Sequence, residues 1–185
     1  MAPLLQSATT ASGGDAVVTV RGDIDTETAG QLWEYLSFLV GQGHRHIVLD
    51  LRGLILIDST GVEVLARFDP IPRVKARQAE VDQVFVNLIS NAVQAMDGKG
   101  RLTLATSESR DAVTASVSDT GSGIPKSVMG KIFDPFFTTK DPGKGTGLGL
   151  SIAYKIVSKY GGTIHVESEE GKGSKFTIQF PVAHA

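Results

Sequence analysis

Three short stretches of this chain carry polar groups and glycines where packing alone does not require them. In "NLISNA" (87–92), Asn87 and Asn91 stand four residues apart, so both project from one face of a helix. Neighbouring amides can coordinate a hard cation through oxygen, or hold phosphates and water. Taken alone, the pair reads more simply as an exposed polar face. In "DTGSGI" (119–124), Asp119 is followed by Gly121, Gly123 and Ile124. A carboxylate there can accept from an exocyclic amine, while glycines let the backbone approach a flat ring. Taken alone, it is a turn after a strand. "GKGTGLGL" (143–150) sets Gly143, Gly145, Gly147 and Gly149 just before a helix-like run. Backbone N–H groups leading into a helix N-terminus attract phosphate through unpaired donors and the helix dipole.

Two commoner phosphate motifs do not fit this run. A P-loop needs G-x-x-x-x-G-K-[S/T], whereas Lys144 precedes a glycine. A dinucleotide fingerprint follows directly on a strand, whereas these glycines follow the aromatic and proline loop "FDPFFTTK" (133–140).

The elements that must position these groups fall into two halves. After a flexible lead-in (1–14), "AVVTVRGDID" (16–25) reads as a strand and 26–43 as a helix, with Thr26 as candidate N-cap and Leu32, Leu36 and Leu39 as its apolar stripe. "HRHIVLDLRG" (44–53) reads as a buried strand, and 54–68 as a further short strand, a turn and a helix. That order, β-α-β-β-α, favours a mixed sheet with helices on one side. The prolines of "DPIPR" (69–73) mark a boundary. Beyond it come a helix over 74–100, a strand pair over 101–121, a Gly/Pro-rich stretch to 147, a helix over 148–160 and a hairpin over 161–182. The expected division is a fragment over 15–69 and an α/β sandwich domain over 70–185, helices on one face of a mixed, mainly antiparallel sheet.

Composition narrows the chemistry further. The 185 residues carry a net charge of −2, which gives no general attraction to nucleic acid or anionic membrane. The absence of cysteine removes disulfides, thiolate metal sites and cysteine nucleophiles. No apolar run is long enough to span a bilayer and the N-terminus lacks signal-peptide blocks, so a cytoplasmic protein is expected.

The order asparagine helix, D-x-G-x-G, F-x-P-F-F and G-x-G-L-G, over about 74–182, resembles the catalytic ATP-binding domain of sensor histidine kinases, in the GHKL superfamily shared with gyrase. The resemblance implies ATP or ADP as ligand and Asn91 as a ligand of Mg²⁺ on the phosphates, with Asn87 beside it. It places Asp119 on the adenine amino group and Gly121, Gly123 and Ile124 around the base. Phe133, Phe136 and Phe137 would anchor a lid that nucleotide orders. Lys140 or Lys144 would reach the phosphates, which Gly145, Thr146, Gly147, Leu148 and Gly149 would cradle. A response regulator or a STAS protein is the expected macromolecular partner. Related ATPases carry a glutamate four residues before the metal asparagine, where it activates water. Asn87 stands there instead and cannot act as a base, so phosphate is expected to be held for transfer. Glu80, two turns away, is a weak substitute.

In the first half, "GDIDTETAGQL", "HIVLDLRGL" and "IDSTGVEVL" resemble the STAS domain of anti-sigma factor antagonists. That resemblance implies Ser59 as a serine phosphorylated by a partner kinase. On its own, "DSTG" is a helix cap supplied by Asp58 or Ser59. No phosphoacceptor histidine signature is present: His44, His46, His165 and His184 read as structural or surface residues. Three functions follow as alternatives: an Mg-ATP-binding module with little transfer of its own, a serine kinase acting on Ser59 in cis or in trans, or a nucleotide-regulated scaffold. Both patterns are cut short at the junction, as in a recombined or engineered chain. The truncated edges are expected to pair in one continuous sheet or in a strand-exchanged homodimer.

Overall fold

The computed structural model describes residues 5–10, 15–44, 46–67, 76–97, 99–140 and 145–182. The expected boundary at 69–73 lies outside them, as do Gly143, Lys144 and His184. The strands are β1 (Leu5–Thr10), β2 (Asp15–Ile24), β3 (His46–Ile57), β4 (Arg101–Glu108), β5 (Ala112–Asp119), β6 (Thr163–Glu169) and β7 (Gly173–Pro181). The helices are α1 (Ala29–Gly41), α2 (Ser59–Arg67), α3 (Gln78–Ala95) and α4 (Gly149–Lys159), with a 3₁₀ turn at Met129–Lys131.

All seven strands form one mixed sheet in the order β1-β2-β3-β4-β5-β7-β6. Only β2 and β3 run parallel, joined through α1; every other pairing is antiparallel. The two halves meet where β3 pairs with β4, from His46 opposite Ala105 to Asp50 opposite Arg101. The edges that the sequence leaves open thus close on each other within one chain. The helices pack side by side in chain order, α1 on α2, α2 on α3 and α3 on α4. Beneath them lies one continuous apolar core, running from Leu32 and Leu36 through Leu49 and Leu88 to Phe176 and Phe180.

Three local expectations change. The lead-in expected to be flexible contributes β1 over Leu5–Thr10, which pairs with β2 and so lengthens the sheet by one strand. The strand expected at 44–53 and the short strand expected at the start of 54–68 are one strand, β3. Its register against β2 shifts once around Gly53 and again before Leu56, so the extra residues are absorbed as irregularities instead of a break. Thr26 does not cap α1. Asp25 Oδ1 accepts the N–H groups of Glu27 and Thr28, at 3.0 and 3.1 Å, while Thr28 Oγ1 accepts from the Asp25 N–H at 2.9 Å. This reciprocal pair closes the turn that leads into α1, whose own N-cap position, Thr28, makes no side-chain cap hydrogen bond to the helix.

Candidate functional site

α3 is the backbone of the site. Val81, Val84, Phe85, Leu88 and Ile89 bury one stripe of it in the core, which leaves Asn87, Asn91 and Gln94 on an adjoining, more open face. That face forms one wall of a cavity of about 730 Å³. The second wall is the end of β5 and the start of β7, bringing Asp119, Ser174 and Phe176. The loop before α4 closes the third side with Phe137, Lys140, Gly145, Thr146 and Gly147, and Gly149 opens α4 itself.

The sequence placed most of these residues in one site, and the fold brings them together. Asn87, Asn91, Asp119, Gly123, Ile124, Phe137, Lys140, Gly145, Thr146, Gly147 and Gly149 all line the cavity. Gly121, Phe133 and Leu148 are not among its lining residues; Phe133 packs on Tyr154 at 5.2 Å between ring centres. Ser59 is elsewhere, exposed at the first residue of α2, where Asp58 Oδ1 accepts the Gly61 N–H at 3.0 Å and supplies the cap.

Asp119 is the one carboxylate among the described lining residues, and it is almost fully buried. Its Oδ1 accepts the N–H groups of Gly121 at 2.8 Å and Ser174 at 3.3 Å. Oδ2 has no protein partner among the described residues, so it is available to a donor in the cavity. Burial raises the Asp119 pKa above the ordinary carboxylate value, against the pull of those two backbone donors. Gly173 makes the arrangement possible. It has φ +110°, and a Cβ there would lie 2.0 Å from the Asp119 carbonyl oxygen. Nothing local marks Gly173 and Ser174: in sequence, "GKGSK" (171–175) is a hairpin turn.

The phosphate side is built differently. The Phe136 N–H donates to the Gly147 carbonyl at 2.9 Å, and both residues adopt left-handed φ, +66° and +64°. A Cβ on Gly147 would meet the Phe136 carbonyl carbon at 2.4 Å. The aromatic loop and the glycine run are therefore pinned by backbone contact. The Phe136 ring, expected to anchor the loop, points to solvent at 75% exposure; the cavity-side anchor is Phe137.

Asn87 and Asn91 differ in what they offer. Asn87 Oδ1 accepts from Gln83, while its Nδ2 is buried without a partner at the cavity wall. An unpaired buried donor is costly and is satisfied by an acceptor entering the cavity. Asn91 Oδ1 and Gln94 Oε1 converge on the Lys140 ammonium, the former at 3.3 Å. Gln94 was missed by the sequence reading, although it lies three residues beyond Asn91 on the same face. Two amide oxygens around one cation are hard donors of the kind Mg²⁺ takes while keeping water and phosphate ligands. Among the described residues no cluster of histidine, aspartate or glutamate could hold a metal ion. The donor set thus fits a metal carried in with phosphates.

Glu80 is not in the cavity. Its carboxylate pairs with Lys159 at 2.7 Å and accepts from the Tyr160 hydroxyl at 2.7 Å, tying α3 to α4. The lysine first, and the tyrosine next, hold its pKa below the usual value.

Residues 76–184, which include every lining residue, match the family model of the histidine kinase-, DNA gyrase B-, and HSP90-like ATPases. The chain belongs to this family. The ATPase-family domain is of histidine kinase type, as its relatives indicate. The sensor histidine kinase ZraS of Escherichia coli (strain K12) is 43% identical over 132 residues, 70% of this chain and 28% of that protein. Sporulation kinase A of Bacillus subtilis (strain 168) is 44% identical over 104 residues, 56% of this chain and 17% of that one. The chain therefore spans under a third of the length of these curated relatives. Among solved structures, the nucleotide-free catalytic domain of histidine kinase ThkA aligns at a TM-score of 0.53 and 39% identity, covering 59% of this chain and 70% of that one. Full-length ShkA in complex with AMPPNP aligns at a TM-score of 0.53 and 32% identity, covering 63% and 25%.

A second model, described as the Mlab STAS domain, matches residues 7–96. The two matches overlap at 76–96, so α3 carries the asparagines of one pattern and closes the core of the other. Among the described residues no helix is long and apolar enough to cross a membrane.

Proposed function

We propose that this chain binds Mg-ATP in the cavity between α3, the β5–β7 end of the sheet and the start of α4, and holds the nucleotide for phosphoryl transfer with slow hydrolysis. The observation that carries this reading is the opposition of two kinds of group across one cavity. Asp119 offers a free carboxylate oxygen on the β5–β7 wall, and Gly145, Gly147 and Gly149 with Lys140 line the wall formed by the loop and the start of α4. An adenine amine suits the first and a phosphate chain the second. Asn91 would hold the Mg²⁺, whose charge neutralises that of the phosphates when bound. The buried Nδ2 of Asn87 is a donor for a phosphate oxygen or its water.

Slow hydrolysis is supported by the same residues. Asn87 stands where a water-activating glutamate would be needed, and Glu80 is engaged with Lys159 and Tyr160. Calorimetric titration with ATP in Mg²⁺, alongside phosphate release, tests the reading. Binding with little release is expected; absence of binding, or rapid release, counts against it.

A second reading, transfer to Ser59, is favoured by one observation: Asp58 does the capping, which leaves the exposed Ser59 hydroxyl without that duty. Label from γ-labelled ATP on Ser59, lost in Ser59→Ala, would establish it. The β3–β4 ladder supports reading the chain as a recombined unit, with one domain's sheet completing the other's.

A further inference from the structure

Lys140 is the one cation among the described residues lining the cavity. Its ammonium does not point into open space. It donates to Asn91 Oδ1 at 3.3 Å and to Gln94 Oε1. The residue sits five positions before Gly145, on the loop pinned to the glycine run through Phe136 and Gly147.

We propose that Lys140 and the divalent cation are alternative occupants of the Asn91 amide oxygen, with Gln94 Oε1 seating Lys140 alone, so that loading metal with nucleotide requires Lys140 to leave. This rests on the Mg-ATP reading above. Two cations cannot share one neutral oxygen donor at contact distance, because they repel each other. Without nucleotide, the ammonium fills both amide oxygens and holds the loop against α3. With nucleotide, the phosphates offer Lys140 a better, charged acceptor, and the vacated Asn91 oxygen is open to the metal. Gln94 is a positioning residue here: it keeps Lys140 seated and contributes no charge of its own.

The test measures ATP affinity with and without Mg²⁺ and takes the ratio as the metal's gain, for the whole chain and for the variants Lys140→Met and Gln94→Ala. Each variant is checked for an unchanged melting transition. If lysine and metal compete, the gain rises about tenfold in Lys140→Met, the worth of one charged hydrogen bond. It also rises, by about threefold, in Gln94→Ala, where the local charge is unaltered and only the seat is weakened. An unchanged or smaller gain in Gln94→Ala overturns the proposal, since Gln94 is then a bystander or chiefly a metal ligand. Failure of the parent chain to bind ATP at all overturns both this inference and the reading beneath it.

Discussion

Asp50 on β3 stands directly opposite Arg101 on β4, at the last rung of the ladder that joins the two halves of the chain. The carboxylate is nearly buried and is held by Arg52, whose Nε donates to Oδ1 at 2.8 Å. The Arg52 hydrogen bond, the largest influence, lowers the Asp50 pKa. Stability from Asp50 is therefore present above its ordinary value of 3.8 and lost as pH falls through the lowered one. Asp50→Asn should flatten the loss of stability in acid, between roughly pH 5 and pH 2, as measured by urea unfolding across that range. An unaltered pH slope would remove Asp50 from the account.

The shared sheet predicts one cooperative unit. Leu49 and Leu102 face each other across β3 and β4, both fully buried. Leu49→Ala should cost about 2–5 kcal/mol and lower one common transition. Trp33, the single tryptophan, reports on α1, while far-ultraviolet circular dichroism reports on the whole chain. Both probes should give the same urea midpoint in parent and variant. Separated midpoints would mean that the halves unfold independently.

Gly173 gives a test of how the base end of the cavity is built. Gly173→Ala combines left-handed φ with a Cβ at 2.0 Å from the Asp119 carbonyl, so it should destabilise by about 2 kcal/mol or more and weaken nucleotide binding. Gly30→Ala, on α1 with open space around it, serves as the contrast and should change stability by less than about 1 kcal/mol. Equal effects from the two would contradict the steric assignment, with thermal melting as the measurement.

Glu80→Gln separates a structural carboxylate from a catalytic one. Loss of a general base typically lowers turnover by about 10²–10⁴-fold, whereas removal of the ion pair with Lys159 should leave slow phosphate release within about twofold. A large fall in release would restore Glu80 to the chemistry.

The sequence revealed the site better than the fold around it. Asn87, Asn91, Asp119 and the glycines were legible because their spacing follows helix and turn geometry, which is local. Gln94, Gly173 and Ser174 were not singled out: what makes them matter is which loop or strand end lies opposite, and that is set by tertiary packing. β3 is one strand where the sequence suggests two, because pairing to β2 carries the chain through Gly53. Thr26 is a cap candidate by residue type, but type alone does not fix which of several polar residues meets the free N–H groups leading into α1; Asp25 meets them. That β3 and β4 would pair was open between one chain and two, since an unpaired edge specifies a need and not a partner.

The most direct test of ATP binding is the affinity of the parent chain and of Asp119→Asn for Mg-ATP, measured by calorimetry beside their melting temperatures. Burial raises the Asp119 pKa, so it is the neutral carboxyl that favours folding: that contribution is fully present below its ordinary value of 3.8 and is lost as pH rises through the raised one, where the charge disfavours the fold. At neutral pH the neutral amide should therefore melt no lower than the parent, and its oxygen can still accept from Gly121 and Ser174. Its remaining group is a donor facing the adenine amine, so affinity should fall by about ten- to a hundredfold. An Asp119→Asn chain that bound Mg-ATP as tightly as the parent would contradict the account.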